Sequence, residues 1–570
     1  MTSTSATDDL RPKIRAKGRT TDLTDLDEIR SLLKGISCSR DALIEHLHRI
    51  QDRYGRLSAP HLVALADEMH LSMAEVYEVA SFYHHFDLTE GGETHPSLKV
   101  RVCDSIGCDL AGAEALIDDL EKALPEYIRI QRVPCVGRCA EAPVAVIGQN
   151  PVGNATVDAV LRLAQERSTK PRIPLGIDYD AYRIDGGYAL LRQFQWGNIS
   201  TGNASEPAAG RILLILDDAN LRGLGGAGFP VGRKWRILRE QPAPRLMVVN
   251  IDEGEPGTFK DRHFLERDPH RFLEGMLIAA TVVDVVEIYI YLRDEYAGVR
   301  ALLERELAAL RADPPCSLPP IHLRRGAGAY ICGEESALIE SLEGKRGIPR
   351  LRPPYVAQVG LFGRPTLVQN METLYWIRDL VQRGPDWFIA QGRNGRMGLR
   401  AFSVSGRVTR PGVHLAPAGI SLLELVDEYC GGMLDGHELY AYLPGGASGG
   451  ILPASLADLP LDFDTLQPYG CFIGSAAIIV LSQRDSASRA ALNAMRFFAH
   501  ESCGQCTPCR EGTATAARLM AETHWDLDLL EDLCTVMEEA SICGLGQAAP
   551  NPLRCVIKYF PQELDHEPNG

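Results

Sequence analysis

The sequence predicts a multidomain α/β protein. Three observations support this class: a length of 570 residues, short apolar strands that run into cysteine-rich or glycine-rich loops, and helical periodicity towards both ends of the chain. The length alone suggests about three to five domains. We therefore expect separate modules in one chain, with polar loops at strand ends, where α/β proteins collect their functional sites.

The N-terminal 90 residues contain a polar segment followed by helical patterns. Residues 1–30 are polar and lack periodicity, so we expect a disordered tail. Apolar side chains then recur at helical spacing, and Ser72 with Glu75 forms a capping box that opens a helix. We predict a small helical bundle over residues 31–90.

Residues 91–170 alternate between strands and helices. A short strand over 98–102 runs into Cys103, a helix is predicted over 111–124, and another strand precedes Cys135. This is a small α/β unit with cysteine loops at its strand ends. Two thiolates on each of two loops match a [2Fe-2S] cluster, whereas a pair of disulfides or a zinc site is the alternative. The predicted ligands are Cys103, Cys108, Cys135 and Cys139.

A second cysteine group lies in a helical C-terminal segment, residues 486–570. Three thiols fall within seven residues, and a distant fourth closes the group, which suits a [4Fe-4S] cluster with one thiolate for each iron. A four-thiolate zinc site and a chance run of buried thiols are the alternatives. The predicted ligands are Cys503, Cys506, Cys509 and Cys543. Clusters of this kind need reduced thiols, so we expect a cytoplasmic electron carrier.

Glycine-rich loops mark a further module over residues 206–398. The loop from Gly223 to Gly228 offers bare backbone N–H groups that can approach a phosphate, with Lys234 nearby, although a plain turn is the alternative. Two more loops, over 250–261 and 325–335, combine glycines with carboxylates. Solvated surface acids are the alternative for any one of them, but their grouping favours a binding site.

The remaining segments are a connector and a β-rich module. Residues 171–205 contain Pro, Gly, Tyr and Asn without a clear period, which predicts a linker. The order strand, hairpin, helix, strand over 399–485 predicts a compact β-grasp-like domain. The formal charge of −16 argues against nucleic acid as the main partner, because phosphate contacts need a basic surface. No apolar run approaches the ~20 residues of a membrane span.

Five motifs in fixed order resemble the NADH-binding flavoprotein subunit of respiratory complex I and its relatives. The upstream cysteine unit looks like that enzyme's thioredoxin-like [2Fe-2S] partner, fused here into one chain. The resemblance implies a Rossmann-like FMN- and NADH-binding domain over 206–398 and a helical [4Fe-4S] domain at the C-terminus. The motifs are Gly-Leu-Gly-Gly-Ala-Gly-Phe, Asp-Glu-Gly-Glu-Pro-Gly-Thr-Phe-Lys-Asp, Gly-Ala-Tyr-Ile-Cys-Gly-Glu-Glu, Glu-Ser-Cys-Gly-Gln-Cys-Thr-Pro-Cys-Arg and Ile-Cys-Gly-Leu-Gly.

The same resemblance implies which residues bind the cofactors. Phe229 and Tyr355 would stack on NAD(H), with Glu255 and Glu335 near its sugars. No general acid is implied, because the protein would position the nicotinamide and relay electrons, and Phe229, Glu255 and Glu335 would do the positioning. FMN would be held by Gly223, Gly225, Gly226, Gly228, Lys234, Asn250, Asp252, Glu253, Tyr330, Gly333, Glu334, Asn370 and Thr373.

Other stretches indicate the kind of complex. His-Leu-His-Arg-Ile-Gln-Asp-Arg-Tyr-Gly and Leu-Pro-Gly-Gly-Ala-Ser-Gly-Gly-Ile-Leu-Pro look most like the beta subunit of NAD-linked molybdenum or tungsten formate dehydrogenases. This predicts a metal-pterin alpha subunit as partner, with neither nucleic acid nor membrane bound. The alternatives are the same module serving an NAD-reducing hydrogenase or a quinone-reducing complex, and a non-catalytic protein whose flavin site has decayed. Intact glycines and acids in the nucleotide loops argue against the last.

Overall fold

The computed structural model describes residues 21–35, 37–89, 98–125, 127–195 and 208–564. The chain forms two compact units, one of residues 1–93 with 343–346 and the other of residues 94–342 with 347–570. Within the described residues, no helix combines the length and apolar character needed to cross a membrane.

In its described residues the first unit has four α-helices and a two-stranded parallel sheet. Its first helix corrects the prediction of a tail over residues 1–30. Asp22 caps this helix by accepting from Thr24 N–H at 2.7 Å, and Leu26, Ile29 and Leu33 bury one face. Three leucine and isoleucine side chains among polar neighbours are enough for one buried face, which the polar composition concealed. Residues 1–20 lie outside the described residues. The elements are α1 Leu23–Leu33, α2 Leu43–Tyr54, β1 Leu57–Ser58, α3 Ala59–Glu68, α4 Met73–Phe82 and β2 Leu88–Thr89.

The second unit begins with the small cysteine-bearing α/β domain. Its four-stranded sheet has the order β4-β3-β5-β6, with β3 parallel to β4 and antiparallel to β5. Cys103 ends β3 and Cys135 follows β4, so both predicted cysteine loops do lie at strand ends. The elements are β3 Leu98–Cys103, α5 Ile106–Leu110, α6 Ala113–Ala123, β4 Ile128–Val133, β5 Ala145–Ile147, β6 Asn150–Val152 and α7 Val157–Gln165.

The predicted linker over 171–205 contains packed structure. Helices α8 Tyr179–Ile184 and α9 Ala189–Gln195 form, and buried tyrosines tie them to the next domain. Tyr182 Oη donates to Glu274 at 2.6 Å, and Tyr188 Oη lies 2.8 Å from His270 Nδ1. The linker prediction was therefore wrong for 179–195, because tertiary contacts order a segment that lacks local periodicity. Residues 196–205 lie outside the described residues.

A parallel four-stranded sheet of order β10-β7-β8-β9 forms the centre of the nucleotide-binding domain. The glycine loop follows a helix, α10, and not a strand, so it is not the strand–turn–helix loop of a dinucleotide fingerprint. The elements are α10 Ala208–Asp218, α11 Val231–Arg239, β7 Arg245–Ile251, α12 Lys260–Arg267, α13 Pro269–Val283, β8 Val285–Leu292, α14 Ala297–Ala312, β9 Ile321–Arg325, α15 Glu335–Leu342, β10 Thr366–Asn370, α16 Met371–Tyr375, α17 Ile377–Arg383 and α18 Pro385–Ile389.

The β-rich domain confirms the predicted β-grasp-like arrangement. Its sheet has the order β12-β11-β15-β13-β14, in which the central strands β11 and β15 are parallel and β11 and β12 form a hairpin. The elements are β11 Leu399–Gly406, β12 Gly412–Pro417, α19 Leu422–Glu424, β13 Leu439–Leu443, β14 Leu452–Pro453 and β15 Ala477–Ser482.

Five α-helices between residues 487 and 559 carry the second cysteine group. Cys503 and Cys506 lie in the turn between α20 and α21, and Cys543 precedes α23. Gly504 in this turn has a φ of +75°, a conformation that glycine adopts without steric cost. The helices are α20 Ala487–Glu501, α21 Thr507–Met520, α22 Leu527–Ala540, α23 Gly544–Ala548 and α24 Pro550–Tyr559.

Candidate functional site

A cavity of about 320 Å³ lies at the carboxyl edge of the parallel sheet. Asn250 ends β7 and Asn370 ends the neighbouring β10, and the two are paired in register. Their side-chain amides organise the edge: Asn250 donates to the Gly333 carbonyl at 2.9 Å, and Asn370 donates to Asp261 at 2.8 Å. The sheet thereby brings loops that are distant in sequence to one place. We call this space the nucleotide cavity.

Ten of the residues predicted to bind FMN or NAD(H) line the nucleotide cavity. They come from the glycine loop, the two acidic loops and the end of β10. They are Gly225, Gly226, Asn250, Asp252, Glu253, Glu255, Tyr330, Gly333, Glu334 and Asn370.

Three other predicted residues shape the glycine loop from outside the cavity lining. Gly223 N–H donates to the Phe229 carbonyl at 2.9 Å and closes the loop. The hydroxyl of Thr373, which is fully buried, accepts from Leu224 N–H at 2.9 Å. Gly228 has a φ of +64°, and a Cβ there would lie 2.7 Å from the Phe463 ring. Their positions predict a structural contribution to cofactor binding.

The last four predicted residues, Lys234, Glu335, Phe229 and Tyr355, also lie outside the lining. Lys234 Nζ is 3.2 Å from Glu335, and Arg352 lies 3.4 Å from the same carboxylate, so Glu335 stands between two cations. Phe229 and Tyr355 are 41% and 56% exposed, and the Arg233 guanidinium carbon lies 5.6 Å from the centre of the Phe229 ring. The motif around Glu335 contains no cation, and Arg352 comes to its carboxylate from a different loop.

Two observations show that the nucleotide cavity fits a polar cofactor such as FMN. Asp252 Oδ2 is buried and has no hydrogen-bond partner among the described residues, so it can accept from a ligand donor. Burial raises the pKa of Asp252 well above its ordinary value. Gly226 has a φ of +126°, and a Cβ there would find its nearest heavy atom 4.0 Å away, so a side chain would occupy open space that a ligand can use.

Two further carboxyls of the lining are held by protein donors. Glu253 accepts from Asp261 N–H at 2.8 Å and from Tyr296 Oη at 2.8 Å, and its burial raises its pKa from 4.5 to about 7. Glu255 accepts from Ser448 N–H at 2.8 Å and from the Tyr330 hydroxyl. Burial also raises the pKa of Glu255.

Several lining residues were not predicted from the sequence. Lys260 and Asp261 belong to a motif that was recognised, but neither was assigned to the site. Ala227, Gly254, Thr258 and Ile331 also lie in the recognised loops, and Gly544 and Leu545 belong to the Ile-Cys-Gly-Leu-Gly motif, yet none of them was assigned to the site. The remaining lining residues come from the β-grasp-like domain and α23, and no local pattern marks them: Gly445, Ser448, Phe472, Gly474, Ser475 and Ala548.

The four C-terminal cysteines line a single small cavity, as a shared metal centre requires. Cys503, Cys506, Cys509 and Cys543 meet there, and the pocket is otherwise lined mainly by apolar side chains. Ile331 and Leu545 line both this space and the nucleotide cavity. Four convergent thiols in an apolar setting fit the predicted [4Fe-4S] cluster.

The four N-terminal cysteines also converge and are nearly fully buried. Cys103 Sγ contacts both Cys108 and Cys135, and Cys135 Sγ lies 3.3 Å from Cys139 Sγ. The structure joins none of these four cysteines in a disulfide. Two loops that each supply two thiols fit a [2Fe-2S] cluster.

Side chains of the nucleotide-binding domain connect this thiol group to the nucleotide cavity. Arg293 donates to the Cys135 carbonyl at 2.7 Å and also to the Glu253 carbonyl. Arg262 Nε donates to the Gly137 carbonyl at 3.0 Å, and Phe259 packs against Cys135 and Cys139. On the far side, Asn493 of α20 donates to the Asp104 carbonyl at 2.8 Å. The cysteine loops therefore contact the nucleotide-binding domain and the C-terminal helices directly.

Three family models match successive parts of the chain. Residues 29–167 match the thioredoxin-like [2Fe-2S] ferredoxin, residues 216–379 the Nuo51 FMN-binding domain, and residues 489–567 the iron–sulfur binding region of NADH-ubiquinone oxidoreductase F. Together they define an NADH-binding flavoprotein with FMN, a [2Fe-2S] cluster and a [4Fe-4S] cluster.

Individual relatives agree with this class. The NADH-quinone oxidoreductase F 2 subunit of Rhizobium meliloti is 38% identical over 69% of this chain and 94% of its own length. The mitochondrial NADH-ubiquinone oxidoreductase 51 kDa subunit of Neurospora crassa is 41% identical over 61% of this chain and 75% of its own length. The chain belongs to this family of NADH-binding flavoprotein subunits. A crystal structure of NAD⁺-reducing [NiFe]-hydrogenase contains a chain that aligns with a TM-score of 0.77 at 33% identity, covering 93% of this chain and 94% of that one.

Proposed function

We propose that the chain is the NAD(H)-binding diaphorase subunit of a formate dehydrogenase (formate + NAD⁺ = CO₂ + NADH). The observation that carries this proposal is the set of sequence stretches that look like the beta subunit of NAD-linked formate dehydrogenases. The partner would be a molybdenum- or tungsten-pterin alpha subunit. Because the cluster thiols must stay reduced, we place the complex in the cytoplasm.

In this proposal the nucleotide cavity holds FMN. Bound FMN supplies hydride exchange with NADH and single-electron exchange with iron–sulfur clusters. The glycine loop presents backbone N–H groups, while Asn250, Asp252 and Asn370 offer hydrogen-bonding side chains. Glu334 lines the cavity and accepts from Ser336 and Ala337 N–H groups at the start of α15, which fixes its carboxylate in place.

Three residues outside the cavity lining, Phe229, Tyr355 and Glu335, would then orient NAD(H). Phe229 and Tyr355 expose their rings for stacking, and Glu335 would hydrogen-bond a ribose. Ile331 and Leu545 form an apolar wall between the nucleotide cavity and the four C-terminal cysteines, which would exclude water from the route of the electron. The [4Fe-4S] centre would exchange electrons with the partner.

The same module serving an NAD⁺-reducing hydrogenase is the second candidate. It is favoured by the alignment with the hydrogenase chain over 93% of this protein. The two candidates share every cofactor and differ only in the partner. Identity of the partner therefore separates them.

Reconstitution with defined partners tests the proposal. The purified chain should oxidise NADH with ferricyanide but should not reduce NAD⁺ with formate. Adding a metal-pterin formate dehydrogenase alpha subunit should restore formate-dependent NAD⁺ reduction, whereas a hydrogenase partner should not give hydrogen-dependent reduction. Hydrogen-dependent activity would support the second candidate. Formate turnover by the chain alone, without a metal-pterin contaminant, would contradict the proposal.

A further inference from the structure

Lys260 is a buried cation in the wall of the nucleotide cavity. It is the first residue of α12 and its side chain is 2% exposed. The ammonium lies 2.7 Å from Asp261 Oδ1 and 2.8 Å from Glu372 Oε2. Asp261 is fixed in turn by Asn370, which donates to its other oxygen at 2.8 Å. The position of this charge is therefore set by two carboxylates, Asp261 of α12 and Glu372 of α16, and Asn370 at the end of β10 fixes the first of them.

The charged residues of the cavity lining are mostly acidic, and Lys260 differs from the others in its sign. Among the described residues that line the cavity, Lys260 is the sole basic side chain. Its neighbours in the lining include five acids, Asp252, Glu253, Glu255, Asp261 and Glu334. The adjacent carboxylates raise the pKa of Lys260, so it stays charged. A buried charge acts strongly on its surroundings, because little water screens it.

We propose that Lys260 tunes the bound flavin, with Asp261 and Glu372 holding its ammonium so that the cavity favours reduced over oxidised FMN. The inference rests on the proposed placement of FMN in this cavity, and it does not depend on which partner the chain serves. Reduced FMN carries more negative charge than oxidised FMN at neutral pH. A fixed positive charge in the wall therefore stabilises the reduced form more, in the way that preorganised charges act in active sites.

Glu372 allows the role of Lys260 to be tested, because removing the glutamate charge should have the opposite effect on the flavin to removing the lysine charge. It belongs to α16 and is not part of the cavity lining, yet it contacts the ammonium directly. Removing the lysine charge should disfavour reduced FMN, whereas removing the glutamate charge should favour it. If these residues only supported the fold, the preference for reduced FMN would change in the same direction in both variants or would not change in either.

The experiment compares K260Q, E372Q and the double variant K260Q/E372Q with the wild type, with exposed Lys122→Gln as the control. Dissociation constants for oxidised and reduced FMN are measured anaerobically on the purified chain by flavin absorbance, and midpoint potentials by spectroelectrochemistry. We expect the ratio of oxidised to reduced dissociation constants to fall about tenfold in K260Q and to rise about tenfold in E372Q. Each tenfold change corresponds to about 30 mV for a two-electron couple. The ratio for the double variant should lie between the ratios for the two single variants.

Each outcome decides one question. If K260Q does not fold, the upward shift in E372Q still tests the inference. Shifts of the same sign in both single variants, or none, would overturn the role of Lys260 while leaving FMN binding intact. If Asn250→Ala and Asn370→Ala bind FMN as tightly as the wild type does, the placement of FMN in the cavity would instead be contradicted.

Discussion

Ile331 and Leu545 together form part of the wall between the nucleotide cavity and the four-cysteine cavity. Ile331 follows Tyr330 in the second acidic loop, whereas Leu545 lies in α23, directly after Cys543 and Gly544. Both are nearly fully buried. Two aliphatic side chains therefore border both proposed redox sites.

Truncating this wall should slow electron transfer and weaken the fold. We expect Leu545→Ala to lower the free energy of unfolding by about 3 kcal/mol, since it empties a buried site. Reduction of the [4Fe-4S] cluster by NADH, followed by stopped-flow absorbance, should slow because the electron must cross vacated space. NADH–ferricyanide activity should change little. Leu529→Ala, at an exposed position of α22, is the matched control, and equal effects of both variants would count against the wall.

Cys506→Ser should remove the [4Fe-4S] cluster and leave FMN bound. Cys506 lines the four-cysteine cavity but not the nucleotide cavity, so the flavin site keeps its own contacts. Iron content should fall to that of the [2Fe-2S] cluster, and NADH–ferricyanide activity should survive. Cys316→Ser changes a half-buried thiol far from both groups in sequence and serves as the control. An unchanged iron content in Cys506→Ser would refute the ligand assignment.

Glu335→Gln should relax the preference for NAD(H) over NADP(H). The wild-type carboxylate would repel a 2′-phosphate and also occupies Lys234 and Arg352. Without its charge, Lys234 becomes available to the phosphate, whereas Arg352 keeps its ion pair with Glu334. The ratio of kcat/KM for NADPH to that for NADH should rise about tenfold or more. Glu255→Gln should change this ratio less, because Tyr330 and Ser448 already hold that carboxylate.

The pKa of Glu253 predicts how stability depends on pH. Its pKa is raised from 4.5 in the unfolded chain to about 7 in the folded protein, so the folded state binds more protons between these values. Stability of the FMN-free protein should therefore fall as pH rises from about 4.5 to 7, by roughly 3 kcal/mol from this group. Urea unfolding across this range should show a shallower fall for Glu253→Gln. An identical pH profile for both proteins would exclude Glu253 as the cause.

Arg293→Met should loosen the loop that carries Cys135 and Cys139. It would leave the buried carbonyls of Cys135 and Glu253 without a donor, at a cost of about 2–5 kcal/mol. Thermal melts and the visible spectrum of the [2Fe-2S] cluster measure the two effects. Arg489→Met breaks an ion pair with Asp109 in which the arginine side chain is 65% exposed, and it should cost less than about 1 kcal/mol. Equal losses would mean that Arg293 has no special role.

The sequence predicts local features of the site better than its assembly. Asn250 and Asn370 could be assigned only through the family resemblance, and the parallel register of their strands then places them side by side. Ser448 and Phe472 reach the same cavity from the β-grasp-like domain, and nothing near them in sequence signals this. Such contacts depend on domain packing, which short-range patterns do not encode.

The same limit explains the corrected segments. Tyr182 and Tyr188 order the connector through Glu274 and His270, which lie 92 and 82 positions later. Periodicity within 171–205 could not reveal partners at that distance. The first helix was concealed differently, because its apolar positions are few and are spaced among acids.

The contact between Asn493 and Asp104 also imposes an order of events on the growing chain. The two residues are 389 positions apart, and at typical rates of synthesis about 20 to 80 s separate their appearance. Cys103 and Cys108 therefore leave the ribosome well before the helix that will cover their loop exists. We expect the two-iron cluster to be delivered most easily during this interval, while cluster-assembly factors can still reach the thiols.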